Sequence, residues 1–149
     1  MAMTRAEAES VLIRRCGKML AAAGLDGTTA DGTNADLSDP LGVALRHLGF
    51  SPASLTTVAT SDLSAVDASN VVEFLDVASL AAMRAALNNW AEPDQTAGQD
   101  NRQDLGKLRE SLRLTVAAEE KRLADLYNYG VASGISAGTL TFGFQTREE

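Results

Sequence analysis

The apolar residues of this chain follow one spacing up to Tyr129 and a different one after it. Up to Tyr129 they recur every three or four positions, which is the spacing of helices with one apolar face. Near the C-terminus they alternate with polar or small residues, which is the spacing of a half-buried strand. The sequence therefore predicts a mainly α fold, with a small bundle of about four helices in residues 1–129. Residues 130–149 are predicted to form a separate arm, made of a flexible glycine-rich linker and a C-terminal β-strand.

The first helix is predicted over residues 5–23. Thr4 and Glu7 have the spacing of a capping box, in which a hydroxyl and a carboxylate each accept a hydrogen bond from a free amide at the helix start. Gly24 suits the left-handed position that ends many helices. The apolar face of this helix is predicted to contain Val11, Leu12, Cys16, Met19, Leu20 and Ala23.

A long loop is predicted for residues 24–38, which are mostly Gly, Thr, Asp, Asn and Ala. Its aspartates invite comparison with a calcium loop, but no placement supplies the ligands, the central Gly and the final Glu of an EF-hand, so that site is excluded. The second helix is predicted to have Asp39 as its N-cap and Pro40 as its first residue, and to end at Gly49.

The most apolar helix is predicted over residues 71–90, after a short turn that Ser61 and Asp62 cap and that runs through Val66. Apolar side chains lie in nearly every direction around this helix, so we expect it to be the central one. A polar connection follows. After it, a long helix with charges of both signs is predicted over residues 102–129. Its apolar stripe is predicted to be Leu105, Leu108, Leu112, Val116, Leu123 and Leu126.

The C-terminal arm combines small residues with three large apolar ones. Its glycines lack the lysine and the strand-to-helix context of a phosphate-binding loop, so we interpret them as hinges: Gly130, Gly134 and Gly138. The backbone amides and carbonyls of a single strand need a hydrogen-bonding partner. That partner is an internal segment of the chain, another copy of it or a different protein. The sequence favours neither of two interpretations: the strand packs onto the chain's own core, or it serves as an edge that pairs with another molecule. In the second case the partner-binding residues are Leu140, Phe142 and Phe144.

The formal net charge of −7 is unevenly distributed along the chain. Residues 24–100 carry eleven acidic residues and two basic ones, whereas the segments before and after carry no net negative charge. Affinity for nucleic acid comes mainly from clustered Lys and Arg, so an acidic middle argues against binding to a phosphate backbone. We therefore expect no sequence-specific nucleic-acid partner.

No combination of residues predicts catalysis, a metal or a cofactor. His47 is the only histidine and is interpreted as a polar residue of the second helix. Cys16 lies in an apolar stripe, where a free thiol behaves as a small hydrophobe. The acidic residues of the last helix are balanced by Lys121 and Arg122, as on a solvated face; they are Glu119, Glu120 and Asp125. We predict that the chain is not an enzyme.

The expected cellular compartment follows from the cysteine count and from the distribution of apolar residues. Cys16 is the only cysteine, so no intramolecular disulfide is possible and a reducing cytoplasm is expected as the place of synthesis. The N-terminus alternates charges with alanines, and no stretch approaches the about 18 uncharged apolar residues of a membrane span. We expect neither a signal peptide nor a membrane partner.

The order of these features resembles the head-to-tail connector adaptor proteins, or neck proteins, of long-tailed bacteriophages and related gene-transfer particles. The resemblance covers about residues 39–145. It rests on residues 41–49 (LGVALRHLG), 75–80 (LDVASL), 87–90 (LNNW), 127–130 (YNYG) and 136–144 (SAGTLTFGF), with the long charged helix between the third and fourth of these. The first helix and the 24–38 loop are additions to a minimal adaptor.

The resemblance implies a helical bundle with a mobile C-terminal segment and no catalysis. It implies a ring of about twelve copies of the chain, placed in the virion neck after synthesis in the bacterial host cytoplasm. Its implied partners are the portal protein and a stopper or tail-terminating neck protein, with DNA passing through the ring. The alternative hypothesis is a small soluble helical module or regulator, which uses the C-terminal strand to engage one partner.

Overall fold

The computed structural model describes residues 2–54, 56–90 and 99–129, and most of these residues are helical. The helices are α1 (Arg5–Ala22), α2 (Ser38–His47), α3 (Thr60–Leu63), α4 (Val71–Asn89) and α5 (Gln99–Tyr127). Short 3-10 turns at Ala35–Leu37 and Ala68–Asn70 lead into α2 and α4. The predicted mainly α bundle is confirmed, with the four-residue α3 beside four longer helices. The predicted linker and strand of residues 130–149 lie outside the described residues.

The ends of α1 and α2 are set by local sequence. The amide of Glu7 donates to the Thr4 hydroxyl at 3.2 Å, and the amide of Thr4 donates to the Glu7 carboxylate at 2.7 Å, so the predicted capping box is confirmed. Gly24 and Gly49 follow α1 and α2 with φ values of 85° and 89°. A glycine adopts this left-handed conformation without steric cost, and the helices stop there as predicted.

The start of α2 differs from the prediction. Asp39 is not the N-cap, because the helix begins at Ser38 and continues directly from the 3-10 turn. That turn is capped by Asn34, whose side-chain oxygen accepts a hydrogen bond from the Asp36 amide at 3.1 Å. Pro40 still lies in the first turn, where its missing amide hydrogen costs no helical hydrogen bond. A cap several residues upstream therefore determined where the helical backbone begins.

The short helix α3 also begins earlier and ends earlier than predicted. It starts at Thr60 and stops at Leu63, rather than running from Ser61 through Val66. Asp62 does act at its N-terminus, because its carboxylate accepts hydrogen bonds from the amides of Ala59 at 2.8 Å and Ala53 at 3.2 Å. The second of these bonds ties the preceding irregular segment to the helix.

The central position predicted for residues 71–90 is confirmed. Helix α4 packs against α1, α2 and α5. Its fully buried side chains include Phe74, Val77 and Leu80, which meet leucines of α1 and α2 in one continuous core. Within the described ranges, no helix combines the length and apolar content that a membrane crossing requires.

Helix α5 runs antiparallel to α4 and buries only part of its predicted stripe. Contacts from Glu120 to Arg84 and from Tyr127 to Asp76 define the direction. Three residues of the stripe are buried as predicted: Leu112, Val116 and Leu123. The prediction is wrong for two others, since Leu108 is 54% exposed and Leu126 is 59% exposed. The reason is geometric: Leu108 precedes the level at which α5 meets α4, and Tyr127 takes the inward position beside Leu126. The side chain of Leu105 lies outside the described residues.

Candidate assembly surfaces

The predicted functional residues of the arm lie outside the described residues. These are the partner-binding residues Leu140, Phe142 and Phe144 and the hinges Gly130, Gly134 and Gly138. The structure does describe Tyr129, the residue directly before the arm.

A cluster around Tyr129 holds this point against the bundle. Asn128 adopts a left-handed backbone with a φ of 53°, and its amide donates to the α5 backbone at 3.1 Å, which ends the helix. The Tyr129 hydroxyl then accepts a hydrogen bond from Arg84 at 3.1 Å, and its ring lies edge-on to His47 with ring centroids 5.3 Å apart. The Arg84 guanidinium carbon is 5.4 Å from the centre of the tyrosine ring. The chain therefore reaches position 130 from a defined place beside α2 and α4.

A second cluster, around Asp76, joins three helices. The Asp76 side chain is 9% exposed and lies 2.9 Å from the Arg15 guanidinium of α1 and 3.5 Å from the Arg122 guanidinium of α5. It also accepts a hydrogen bond from the Tyr127 hydroxyl at 3.2 Å. Burial raises the pKa of Tyr127, and the negative charge of Asp76 raises it further. Sequence reasoning missed Asp76, although a carboxylate within an apolar helix is a signal that a cation lies opposite.

A buried ion pair lies under the 24–38 loop and was also missed. Arg5 and Glu9 are buried, and their side chains meet at 2.9 Å. Arg5 further donates to backbone carbonyls of residues 34 and 58 at 2.6 Å each, while the second carboxylate oxygen of Glu9 accepts from the Gly32 amide at 2.7 Å. The signal in the sequence was the position of Glu9 along α1. It lies three residues before Leu12 and seven before Cys16, so it shares their apolar face of the helix.

Four of the residues weighed for catalysis have structural contacts: His47, Glu119, Glu120 and Cys16. His47 lies at the end of α2 as a partly buried polar residue, as predicted, and its Nε2 is 2.7 Å from the Glu73 carboxylate. Glu119 and Glu120 are each bound by an arginine at 2.8 Å. Cys16 is 2% exposed, and its thiol donates to the Leu12 carbonyl oxygen at 3.0 Å. Burial raises the pKa of this thiol to about 11, which matches its interpretation as a core residue.

The aspartates of the 24–38 loop stabilise tight turns. The Asp26 carboxylate accepts hydrogen bonds from the amides of Thr28 and Thr29 at 3.0 Å each. Hydrogen bonds from Thr29 and Thr28 lower the pKa of Asp26 to about 2. Asp31 binds the Thr33 amide in the same way at 2.9 Å. Among the described residues, no three His, Cys, Asp or Glu side chains converge as metal ligands.

An open apolar groove lies between the first half of α1 and the start of α4. Its volume is about 630 Å³. Glu7 and Arg14 line it as its charged residues, and Val72, beside the groove residue Val71, is 61% exposed. We call it the α1/α4 groove, and its other main lining residues are Met3, Ala6, Ser10, Val11, Val71 and Leu75.

A second exposed surface lies on the face of α5 that points away from the core. Leu114 is 57% exposed, and the small residues Ser111 and Ala118 flank it one turn before and one turn after. Successive residues of a helix are rotated by about 100°, so this face is opposite to the one that Leu112 and Val116 bury. We call it the α5 ridge, formed by Lys107, Glu110, Ser111, Leu114, Thr115 and Ala118.

Comparisons of the chain with protein-family models, with curated proteins and with solved structures found no significant match.

Proposed function

We propose that this chain is a structural subunit of a bacteriophage neck. Copies of it would form the adaptor ring between the portal protein and the next neck protein, a stopper or a tail terminator. The observation that carries the proposal is the pair of exposed apolar surfaces, the α5 ridge and the α1/α4 groove. Leu114 on the ridge and Val72 beside the groove are each more than half exposed, so both are available for contact with another protein.

The contacts at Tyr129 support the same function. A docking arm fixes the orientation of its subunit only if the residue before the arm has a defined position. Here Arg84 and His47 contact that residue, Tyr129. The arm, with Leu140, Phe142 and Phe144, is then the element that engages the portal or a neighbouring copy by adding a strand. The resemblance of residues 39–145 to connector adaptors supports this assignment.

The charge of the chain suits a ring through which DNA passes. The net charge is −7, and like charge keeps a polyanion from adhering to the subunit. We propose passage without sequence reading, assembly in the host cytoplasm and a final position in the virion neck. Neither catalysis nor a cofactor belongs to this proposal.

Two measurements test the proposed function. Mass spectrometry of phage-like particles, purified from the organism that encodes the chain, is expected to find it together with portal and tail proteins. Sedimentation velocity of the purified full-length chain is expected to show species larger than the 15.6 kDa monomer as concentration rises. Absence from particles, or a lasting 1:1 complex with one cytoplasmic protein, would contradict the proposal and favour the soluble module.

A further inference from the structure

We propose that the α1/α4 groove is a docking site for the C-terminal arm of the same chain, so that an unassembled copy binds its own strand, residues 140–144, in the groove. The contact itself stands apart from the function proposed above. Its regulatory consequence rests on that function, because the arm of a copy engages the portal or a neighbour only after it leaves the groove. Release then frees the arm and the groove together.

The arm begins at the same end of α4 as the groove. The ring of Tyr129, the residue before the arm, contacts the ring of His47, and His47 Nε2 lies 2.7 Å from the carboxylate of Glu73 near the start of α4. The groove is lined by Val71 and Leu75, which lie two residues before and two residues after Glu73. The α5 ridge lies toward the opposite end of α4, since α5 runs antiparallel to it. Of these two exposed apolar surfaces, the groove is therefore the nearer to the arm.

The chain between Tyr129 and the predicted strand is long enough to reach the groove. Successive helix residues are rotated by about 100°, so Glu73 and Val71 lie on opposite sides of α4 and Val72 lies between them. Half the circumference of a helix is less than about 20 Å, whereas the chain from Tyr129 to Leu140 extends to about 36 Å. Val72, on the path between the two sides, is 61% exposed. The arm therefore has the length to pass over Val72 and enter the groove.

The predicted strand also agrees with the groove in length. The groove follows α1 from Ala6 to Arg14, which is about 12 Å at 1.5 Å per residue. Residues 140–144 span about 13 Å as an extended strand. The groove volume of about 630 Å³ is typical of clefts that enclose a ligand of several large groups. One pass of the strand therefore fits the groove.

The arm and the groove agree in polarity. Residues 130–146 contain no charged residue. Alternation along a strand places three large apolar side chains on one face: Leu140, Phe142 and Phe144. The groove is lined mainly by apolar side chains, and its charged lining residues, Glu7 and Arg14, are of opposite sign. An uncharged segment with one apolar face is a suitable occupant, because its docking requires no charge to be buried.

The covalent connection favours the arm of the same chain over the arm of another copy. A short flexible linker, such as the one predicted before Leu140, holds a segment near its site at an effective concentration in the millimolar range. The arm of a separate copy competes only when the protein itself is that concentrated. The groove is open to solvent, so the docked arm lies outside the core and its loss leaves the bundle folded. Docking is therefore reversible, and partners in the assembling neck release the arm by binding it.

Protection of a thiol in the groove of the full-length chain tests the docked arm. Ser10→Cys places this thiol in the groove, and a chromogenic disulfide measures its labelling rate. Phe142→Asp with Phe144→Asp adds charge to the face predicted to enter the groove, and is expected to raise the labelling rate about tenfold by releasing the arm. The native Cys16 is buried, so an unreactive Cys16 shows that each variant is folded.

Matched controls separate docking of this face from general effects of charge. Thr141→Asp with Gln145→Asp adds the same charge to the opposite face of the predicted strand and is expected to leave the groove thiol protected. A thiol on the α5 ridge, introduced by Ser111→Cys, is expected to be labelled equally fast with either pair of substitutions and without them. An equal rise in groove labelling for both pairs of substitutions would contradict docking through the apolar face.

A concentration series distinguishes the arm of the same chain from that of another copy. Protection by the chain's own arm is expected to be the same in dilute and concentrated samples. Protection that rises with protein concentration, or equal labelling of the parent and the phenylalanine double variant, would overturn the proposal. Mass spectrometry of particles decides the proposed function independently. A chain found in particles without groove protection is a neck subunit whose arm does not dock on itself, and a protected chain that is absent from particles docks its arm without that role.

Discussion

At the scale of single residues, the core contains charged groups as well as apolar ones. Glu9 is fully buried, and its carboxylate is surrounded by Arg5 and by the amides of Gly32 and Asn34. A buried charge is tolerated when its partner and hydrogen bonds are complete, and its energy then depends on every member of the set. Here the set links α1 to the 24–38 loop, which has few apolar residues of its own. We infer that this ion pair attaches the loop to α1, as apolar packing attaches the helices to one another.

Arg5→Ala is expected to lower the free energy of unfolding by about 3–5 kcal/mol, because it leaves the Glu9 carboxylate buried without a cation. Urea unfolding followed by circular dichroism measures the change. The matched control is Arg113→Ala, which breaks an exposed pair with Glu110 and is expected to leave the unfolding midpoint nearly unchanged. Equal stabilities for the two variants would show that Glu9 gains solvent or another partner when Arg5 is lost.

Cys16 is expected to resist thiol reagents in the folded protein. Its folded pKa is about 11 against an ordinary value of 9.0, so the reactive thiolate is rare at pH 8 and the side chain is also shielded. Because the folded pKa is raised, the stability linked to the neutral thiol is present below pH 9 and is lost as the pH rises through about 11. Labelling with a chromogenic disulfide at pH 8 checks this. Rapid reaction without urea would contradict the burial of Cys16.

At the scale of elements, a contact between two glycines places the 24–38 loop on α1. A Cβ atom added to Gly17 would lie 2.6 Å from the Gly27 carbonyl oxygen, so the backbones of helix and loop approach closely only because both residues lack side chains. The loop was predicted as irregular chain, and its residues 24–34 contain no helix. Its packing against α1 depends on this approach and on the Asn34 amide, which donates to the Glu9 carboxylate at 3.1 Å. The Asn34 side chain holds the loop's own conformation by donating to the carbonyl oxygens of Asp26 and Thr29.

Gly17→Ala is expected to destabilise the protein, because the added methyl group forces the loop away from α1 and disturbs the buried ion pair beneath it. Gly106→Ala is the matched control within a helix: no atom lies within 4 Å of the added methyl group. The control is expected to stabilise the protein by about 1 kcal/mol, since alanine favours helix more than glycine does. Thermal unfolding by circular dichroism compares the two. A stabilised Gly17→Ala variant would mean that the loop moves at little cost.

At the scale of the whole molecule, one central helix organises the fold. Because α1, α2 and α5 each bury their apolar side against α4, the described helices satisfy one another's apolar faces. Among the described residues, the apolar surfaces that remain exposed include the groove at one end of α4 and the ridge toward the other. This division predicts that folding and assembly are separable.

Deletion of residues 139–149 is expected to leave the bundle folded and to abolish incorporation into particles. If Phe142 and Phe144 instead belonged to the core of their own chain, losing each would cost about 3–5 kcal/mol, most of the margin of a typical domain. Calorimetry of the truncated chain is therefore expected to show a melting temperature within a few degrees of the parent. A large fall in that temperature, or normal incorporation, would contradict the role of the arm as a docking element.

The sequence by itself determined the features that depend on residues close together along the chain. The capping box at Thr4, the glycine stops at Gly24 and Gly49, and the central position of residues 71–90 were all read from spacing. These are local matters: a cap needs a side chain within about one turn, and a helix that is apolar all round must be surrounded.

Only the tertiary structure decided which side chains meet across the bundle. Leu108 and Leu114 fit a helix as well as Leu112 does, but α4 covers only Leu112, so the exposed ridge could not be read from the α5 sequence. Asp76 likewise has the composition of a surface residue until Arg15 of α1 and Arg122 of α5 are brought beside it. Glu9 is paired within its own helix with Arg5, but it is the 24–38 loop that surrounds its carboxylate. The physical reason is that burial and ion pairing depend on the neighbour that long-range packing supplies, which local propensity does not encode.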